Sequence, residues 1–199
     1  MAVVLVGNID AQRAIEEVGK AFQRLPRTPA PEMTTVAVQP PTSQVTRSMK
    51  RPFKFEYLAI GFVGPPAAET ADICAMDTLL TYFGFGYRSW MSTHLKGSLG
   101  LAVDVSTDFL TQRDPAMVSL IAGVTAGNLD KARGAIFAQL AAVRSGGISE
   151  QELELAKRSL LGQYAFQNET YAGRANTRGF YFAVSQPEFA ARYVDCVRA

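Results

Sequence analysis

The chain has 199 residues, 48% of them hydrophobic and 19% charged, with a formal net charge of +2. That composition excludes a disordered, collagenous or disulfide-stapled miniature protein, and a chain this long buries roughly 70% of the surface its unfolded form exposes. One histidine, His94, and two cysteines, Cys74 and Cys196, fall short of the three or four closely spaced ligands that a zinc site takes from protein.

Ala2 to Val6 is short, apolar and largely β-branched, and reads as a strand. It is too short for a signal-peptide core and has no cationic lead, so Met1 reads as an added start before an internal segment. After Gly7-Asn8, Asp10 stands ahead of a helix in which Ile15, Val18, Phe22 and Leu25 recur at helical spacing. Pro26 ends it. Six of the ten prolines fall between Pro26 and Pro52, which marks an exposed linker with a short strand expected at Thr35 to Val38.

From Tyr57 the pattern becomes regular. Tyr57 to Val63 is a strand closed by Gly64-Pro65-Pro66. Thr70 to Phe83 is a helix with Ile73, Met76, Leu79 and Leu80 on one side, ending at the bend Gly84-Phe85-Gly86. A second helical stretch is expected over Arg88 to Lys96. In Gly100 to Thr107, Leu101, Val103 and Val105 alternate with Ala102, Asp104 and Ser106, the period of a half-buried strand. Met117 to Val124 pairs with it as a hairpin.

The helix Leu129 to Val143 turns Leu129, Ala132, Ile136, Leu140 and Val143 inward. Ser149 and Glu152 have the spacing of a capping box and open a long helix through Gln167. Helices around Gly173 to Val184 and from Pro187 complete the chain. The order β-α-β-β-α with extra C-terminal helices predicts an α+β, ferredoxin-like split β-α-β module with an antiparallel sheet. Its usual last strand is missing, and Ala2 to Val6 is the spare strand expected at that sheet edge, in cis or by exchange between chains.

Val4-Leu5-Val6-Gly7-Asn8-Ile9-Asp10 and the helix after it are similar to the strand-helix that ends the first module of pitrilysin/insulinase-type zinc metallopeptidases. Ile60-Gly61-Phe62-Val63-Gly64-Pro65-Pro66 resembles the first strand of their second module. Asp77-Thr78-Leu79-Leu80 through Gly86-Tyr87-Arg88-Ser89-Trp90-Met91 resembles the helix and glycine bend that follow it. Gly100-Leu101-Ala102 falls at a Gly-Leu-Ala-Tyr strand start, and Ile148 to Lys157 resembles a Glu-Leu…Ala-Lys helix opening.

The resemblance implies three parts: residues 1–25 end the preceding module, 26–56 form the linker, and 57–199 form the C-terminal-type module. The family's H-x-x-E-H zinc motif then lies in a catalytic first module upstream. Zinc belongs to the parent protein only, this chain has no catalytic or metal-binding residue, and alone it is inactive.

Many relatives also carry an Arg and a Tyr seven residues apart that hold the substrate backbone. Aligned on Gly100-Leu101-Ala102, those positions are Lys96 and Val103. Lys96 keeps the charge without the planar fork, and Val103 has no hydroxyl, so the clamp is not intact. The partners implied are a polypeptide substrate, the upstream module, and either a second chain carrying the Arg/Tyr pair or a second copy. The other reading is a non-catalytic structural or partner subunit of the same fold.

The remaining motifs are bland. His94 near Ser98 lacks the G-x-S-x-G arrangement and reads as a surface or cap histidine. Gly84-Phe85-Gly86 has no phosphate-loop spacing. Asn168-Glu169-Thr170 is a chance match to the glycosylation pattern. Cys74 reads as a small buried hydrophobe, although pairing with Cys196 stays open. The compartment stays open with it, periplasmic or cytoplasmic if the source is bacterial. Interspersed charge gives no reason to expect a nucleic-acid partner, and no apolar run reaches the ~20 residues of a membrane span.

Overall fold

The structure, a computed structural model, describes residues 2–26, 28–29, 40–184 and 186–199. The strand expected at Thr35–Val38 lies outside them. Asp10 caps helix α1 (Ala11–Phe22), its carboxylate accepting from the Arg13 N–H at 2.8 Å, which satisfies one of the orphan donors of the first turn. The apolar stripe of α1 finds no core: no residue of the helix is buried, and Ile15 is 66% exposed.

The expected N-terminal strand is overturned. Residues 2–6 join no sheet; a strand exists only through ladder bonds to a neighbour. The neighbour here is a helix, with Val4 Cγ2 3.7 Å from where a Cβ on Gly179 would stand.

Among the described residues the sheet has three antiparallel strands in the order β1-β3-β2 (β1 Glu56–Val63, β2 Ala102–Phe109, β3 Met117–Val124). The strand order and the helices on it are those of an α+β split β-α-β module, three of whose strands lie among the described residues. The central strand is the most apolar and the most buried: Val118, Leu120, Ala122 and Val124 all lie in the core.

Strand β2 pairs with β3 as a hairpin, with one irregularity. Ala102 faces Val124 and Asp104 faces Gly123, so Val103 is the extra residue of a bulge. From Val103 onward the expected alternation holds. Ala102, expected outward, is buried because the bulge flips the phase.

Helix α2 (Thr70–Gly84) and helix α3 (Leu129–Arg144) cover the sheet. Phe83, Met91, Leu95, Ala132 and Ile136 are almost wholly withdrawn from water within this core, the larger of these side chains contributing about 1.5–3 kcal/mol each. Leu129, expected inward, is exposed at the start of α3. Gly84 ends α2 against Thr107, whose hydroxyl donates to the Leu80 carbonyl at 3.2 Å.

The helical stretch expected over Arg88–Lys96 is instead a π-helix, Met91–Ser98. Its wide turn closes with the Leu99 N–H donating to the His94 carbonyl five residues back, at 2.8 Å.

Helix α4 (Glu150–Gln167) opens with the expected capping box: the Ser149 hydroxyl accepts from the Glu152 N–H, and the Glu152 carboxylate accepts from the Ser149 N–H. Helices α5 (Tyr171–Val184) and α6 (Phe189–Arg198) build a second, all-helical core from Ile73, Cys74, Leu160, Tyr181, Phe189, Tyr193 and Val197. Cys74 is buried, as expected, but not as a free thiol. It forms a disulfide with Cys196, tying α2 to α6 across 122 residues with Cα atoms 6.1 Å apart, within the range such bridges occupy.

Candidate functional site

Three places in this fold gather polar side chains. The first is the junction of the π-helix with β2. Lys96 lies in the last turn of the π-helix, exposed and without an ion pair among the described residues. Val103 sits seven residues on, half-buried at the bulge, its Cγ2 3.3 Å from where a Gly123 Cβ would stand. Between them Gly100, at φ +60°, turns the chain, and the Leu101 N–H bonds the Leu95 carbonyl at 2.9 Å. Lys96 and Val103 line neither of the two cavities described next.

The first cavity, about 300 Å³, lies between the end of α2, the π-helix and the first turns of α4. His94 is exposed here. Its ring stacks on Trp90 with centroids 5.5 Å apart, and Nδ1 lies 3.0 Å from the Thr93 hydroxyl. Ser98 donates to the Thr93 carbonyl rather than to the His94 ring. Glu152 shares the cavity. The Ser149 hydroxyl and N–H hold its carboxyl below the usual range, with a smaller contribution from His94. Across from it, burial and the Glu152 charge raise the Tyr82 hydroxyl, which accepts from Gln139 at 2.7 Å.

The second cavity, about 470 Å³, lies among α2, β2, α4, α5 and α6. Asp77 lines it, in a part of α2 whose neighbours Ile73, Cys74, Thr78 and Leu80 are all buried. Burial raises its carboxyl to about 6, against the lowering effect of the Tyr193 hydroxyl that donates to Oδ2 at 2.6 Å. Tyr193 stacks on Tyr164 with centroids 4.6 Å apart and stands 6.5 Å from Tyr181. The Tyr164 hydroxyl donates to the Ala190 carbonyl at 2.6 Å. Burial and the Asp77 charge push Tyr181 and Tyr193 well above the ordinary phenol range.

Residue inventory gives zinc no home in either cavity. Both cysteines are spent in the disulfide, and the one histidine is paired with Trp90 and Thr93. Among the described residues no cluster of three His, Cys, Asp or Glu side chains is suited to a metal ion.

A family model described as the peptidase M16 inactive domain matches residues 1–160. The chain belongs to this family. The zinc protease PqqE of Helicobacter pylori is 27% identical over 162 residues, 78% of this chain and 36% of that protein. The crystal structure of a protease from Helicobacter pylori superposes with a TM-score of 0.84 at 21% identity, covering 97% of this chain and 47% of that one. The peptidase M16 inactive domain from Pseudomonas fluorescens gives a TM-score of 0.60 at 17% identity, over 71% of this chain and 34% of that one. This M16 chain therefore spans under half the length of each of these relatives.

The pitrilysin-type resemblance read from the sequence and the M16 match agree. The Asp77 cluster of this M16 domain was not read from sequence as a site. Its one local signal was a carboxylate four residues after Ile73, on a face otherwise apolar; its three tyrosine partners come from remote helices.

Proposed function

We propose that this chain is the non-metal module of a zinc-dependent endopeptidase, supplying chamber wall and substrate contact while another module supplies the metal. The observation that carries the reading is the M16 inactive-domain match over residues 1–160. In this reading residues 1–25 end the catalytic module, 26–56 are the linker and 57–199 are the module proper. The unburied apolar stripe of α1 supports that division, since Ile15 and Phe22 lack a core of their own.

The substrate is a polypeptide enclosed between the two halves and cleaved by the catalytic one. Lys96 offers it an exposed cation at the family's Arg position, and Val103 leaves the Tyr position without a donor. A second chain carrying the intact pair, or a second copy of this one, completes the chamber.

The test is peptide hydrolysis with added zinc. This chain alone gives no turnover above buffer, whereas metal-dependent cleavage by it would overturn the reading. In the full-length parent, Lys96→Ala raises KM for peptides with little change in kcat. The alternative, a non-catalytic partner subunit of the same fold, rests on the lost clamp. The region before the chain in the parent decides between them: an intact H-x-x-E-H there supports the peptidase, and its loss supports the partner subunit.

A further inference from the structure

The cavity around Asp77 has the chemistry of a ligand site that is separate from the peptidase reading. Its charged lining residues are Asp77 and Asp108, with no lysine, arginine or histidine among the lining, in a chain of net charge +2. Arg178 acts on Tyr164 from outside the lining, and the carboxylates within the lining favour a cation. Tyr164, Tyr181 and Tyr193 line the same cavity, Tyr193 bonded to the carboxylate and stacked on Tyr164, and aromatic faces attract cations within about 6 Å.

Two polar groups are left for a ligand. Tyr193 occupies Oδ2 of Asp77, while Oδ1 has no hydrogen-bond partner among the described residues. Tyr181 is 7% exposed, and its hydroxyl also lacks a partner among the described residues. Neither atom is a fully buried orphan, the only such side-chain atom among the described residues being Glu56 Oε2, so both stay open to a bond from outside the chain. Asn176 adds an amide to the lining. The volume, about 470 Å³, is that of a small-molecule site. Two carboxylates without a third ligand do not make a metal centre, and an anion meets no positive lining group.

We propose that this cavity binds an organic primary ammonium group, held by Asp77 Oδ1 and the Tyr181 hydroxyl beside the tyrosine rings that line it. The ammonium has three donors, one for the carboxylate, one for the phenol oxygen and one for the Asn176 amide. Its source is either a free alkylamine or the side chain of a lysine in a polypeptide.

The experiment is a titration of this chain at pH 8, read by amide chemical shifts around positions 77, 181 and 193. The probes are n-butylammonium, a lysine blocked at both backbone ends, the same compound acetylated on Nζ, and 1-butanol. Saturable shifts with n-butylammonium, weaker by about tenfold or more for 1-butanol, support the site. Blocked lysine binding as well as n-butylammonium, with loss on Nζ acetylation, identifies a polypeptide lysine; binding of n-butylammonium alone identifies a free amine.

Asp77→Asn keeps an acceptor for Tyr193 and leaves the adjacent Cys74–Cys196 bridge in place, so the helices stay docked while the charge is lost. It weakens n-butylammonium by about tenfold or more, and Tyr181→Phe weakens it by severalfold. The proposal is overturned if no cationic probe saturates up to on the order of 100 mM, if 1-butanol binds equally well, or if Asp77→Asn binds like the parent chain.

Discussion

The Tyr193 hydroxyl on α6 donates to Asp77 Oδ2 on α2 at 2.6 Å, joining residues 116 positions apart. One turn back along α2, Cys74 is bridged to Cys196 on the same two helices. The last helix is thus fastened to the module by a covalent link and a charge-assisted hydrogen bond side by side. The Tyr164 hydroxyl adds a third tie by donating to the Ala190 carbonyl.

Asp77 makes stability fall with rising pH. Its carboxyl titrates near 3.8 when unfolded and at about 6 in the native chain, so between those values the native state binds the extra proton. Stability is therefore greatest below about pH 4 as far as this group is concerned, and falls as pH rises through 6, by on the order of 3 kcal/mol. The titratable groups lining the same cavity are Tyr164 on α4, Tyr181 on α5, Tyr193 on α6 and Asp108 on β2, with Arg178 on α5 acting on Tyr164. Urea melts at pH 5 and 8 should show this slope in the parent chain and a flatter one in Asp77→Asn. An unchanged slope in the variant would remove Asp77 as its cause.

The capping box acts with the opposite sign. Glu152 is held below the usual carboxyl range by Ser149, so its contribution is present above the unfolded pKa and is lost as pH falls through the lower folded value. Ser149→Ala removes the acceptor for the Glu152 N–H and should lower stability by about 1 kcal/mol at neutral pH. Thermal melts at pH 7 and pH 3 check it, the cost shrinking at the lower pH.

Removing the disulfide should be costly without erasing the fold. Cys74→Ala with Cys196→Ala is expected to lose about 2–5 kcal/mol, measured by urea unfolding with and without reductant. The native chain should show no reactive thiol before reduction and both after it. A melting curve insensitive to reductant would mean that the bridge contributes nothing to stability.

Gly84 is a close-approach position. A Cβ there would press into the Thr107 side chain and stand 3.1 Å from the Thr107 nitrogen. Gly84→Ala should therefore separate α2 from β2 and cost about 1–3 kcal/mol. Gly134, with nothing within 4 Å of a built Cβ, is the control: Gly134→Ala in the middle of α3 should be neutral or stabilising by up to about 1 kcal/mol. Equal effects at the two sites would show that packing at Thr107 is not the reason.

The local features of this protein were legible in its residue order. Apolar spacing placed α2, α3 and the β2–β3 hairpin, Asp10 and Ser149 marked two helix starts, and the motifs from Ile60 to Lys157 were enough to reach the M16 family. These are short-range features, governed by the 3.6- and 2-residue periods and by side chains bonding the backbone a few positions away.

Tertiary structure decided the rest. Whether Cys74 and Cys196 pair, and whether Asp77 meets Tyr193, depends on α6 returning to α2 across more than a hundred residues, which no local spacing encodes. The same holds for Ala2–Val6, whose β-branched side chains favour a strand but whose ladder partner has to come from elsewhere. Val103 lies between the two cases: its alternation was legible, but the bulge that buries Ala102 arises only when β2 is matched against β3.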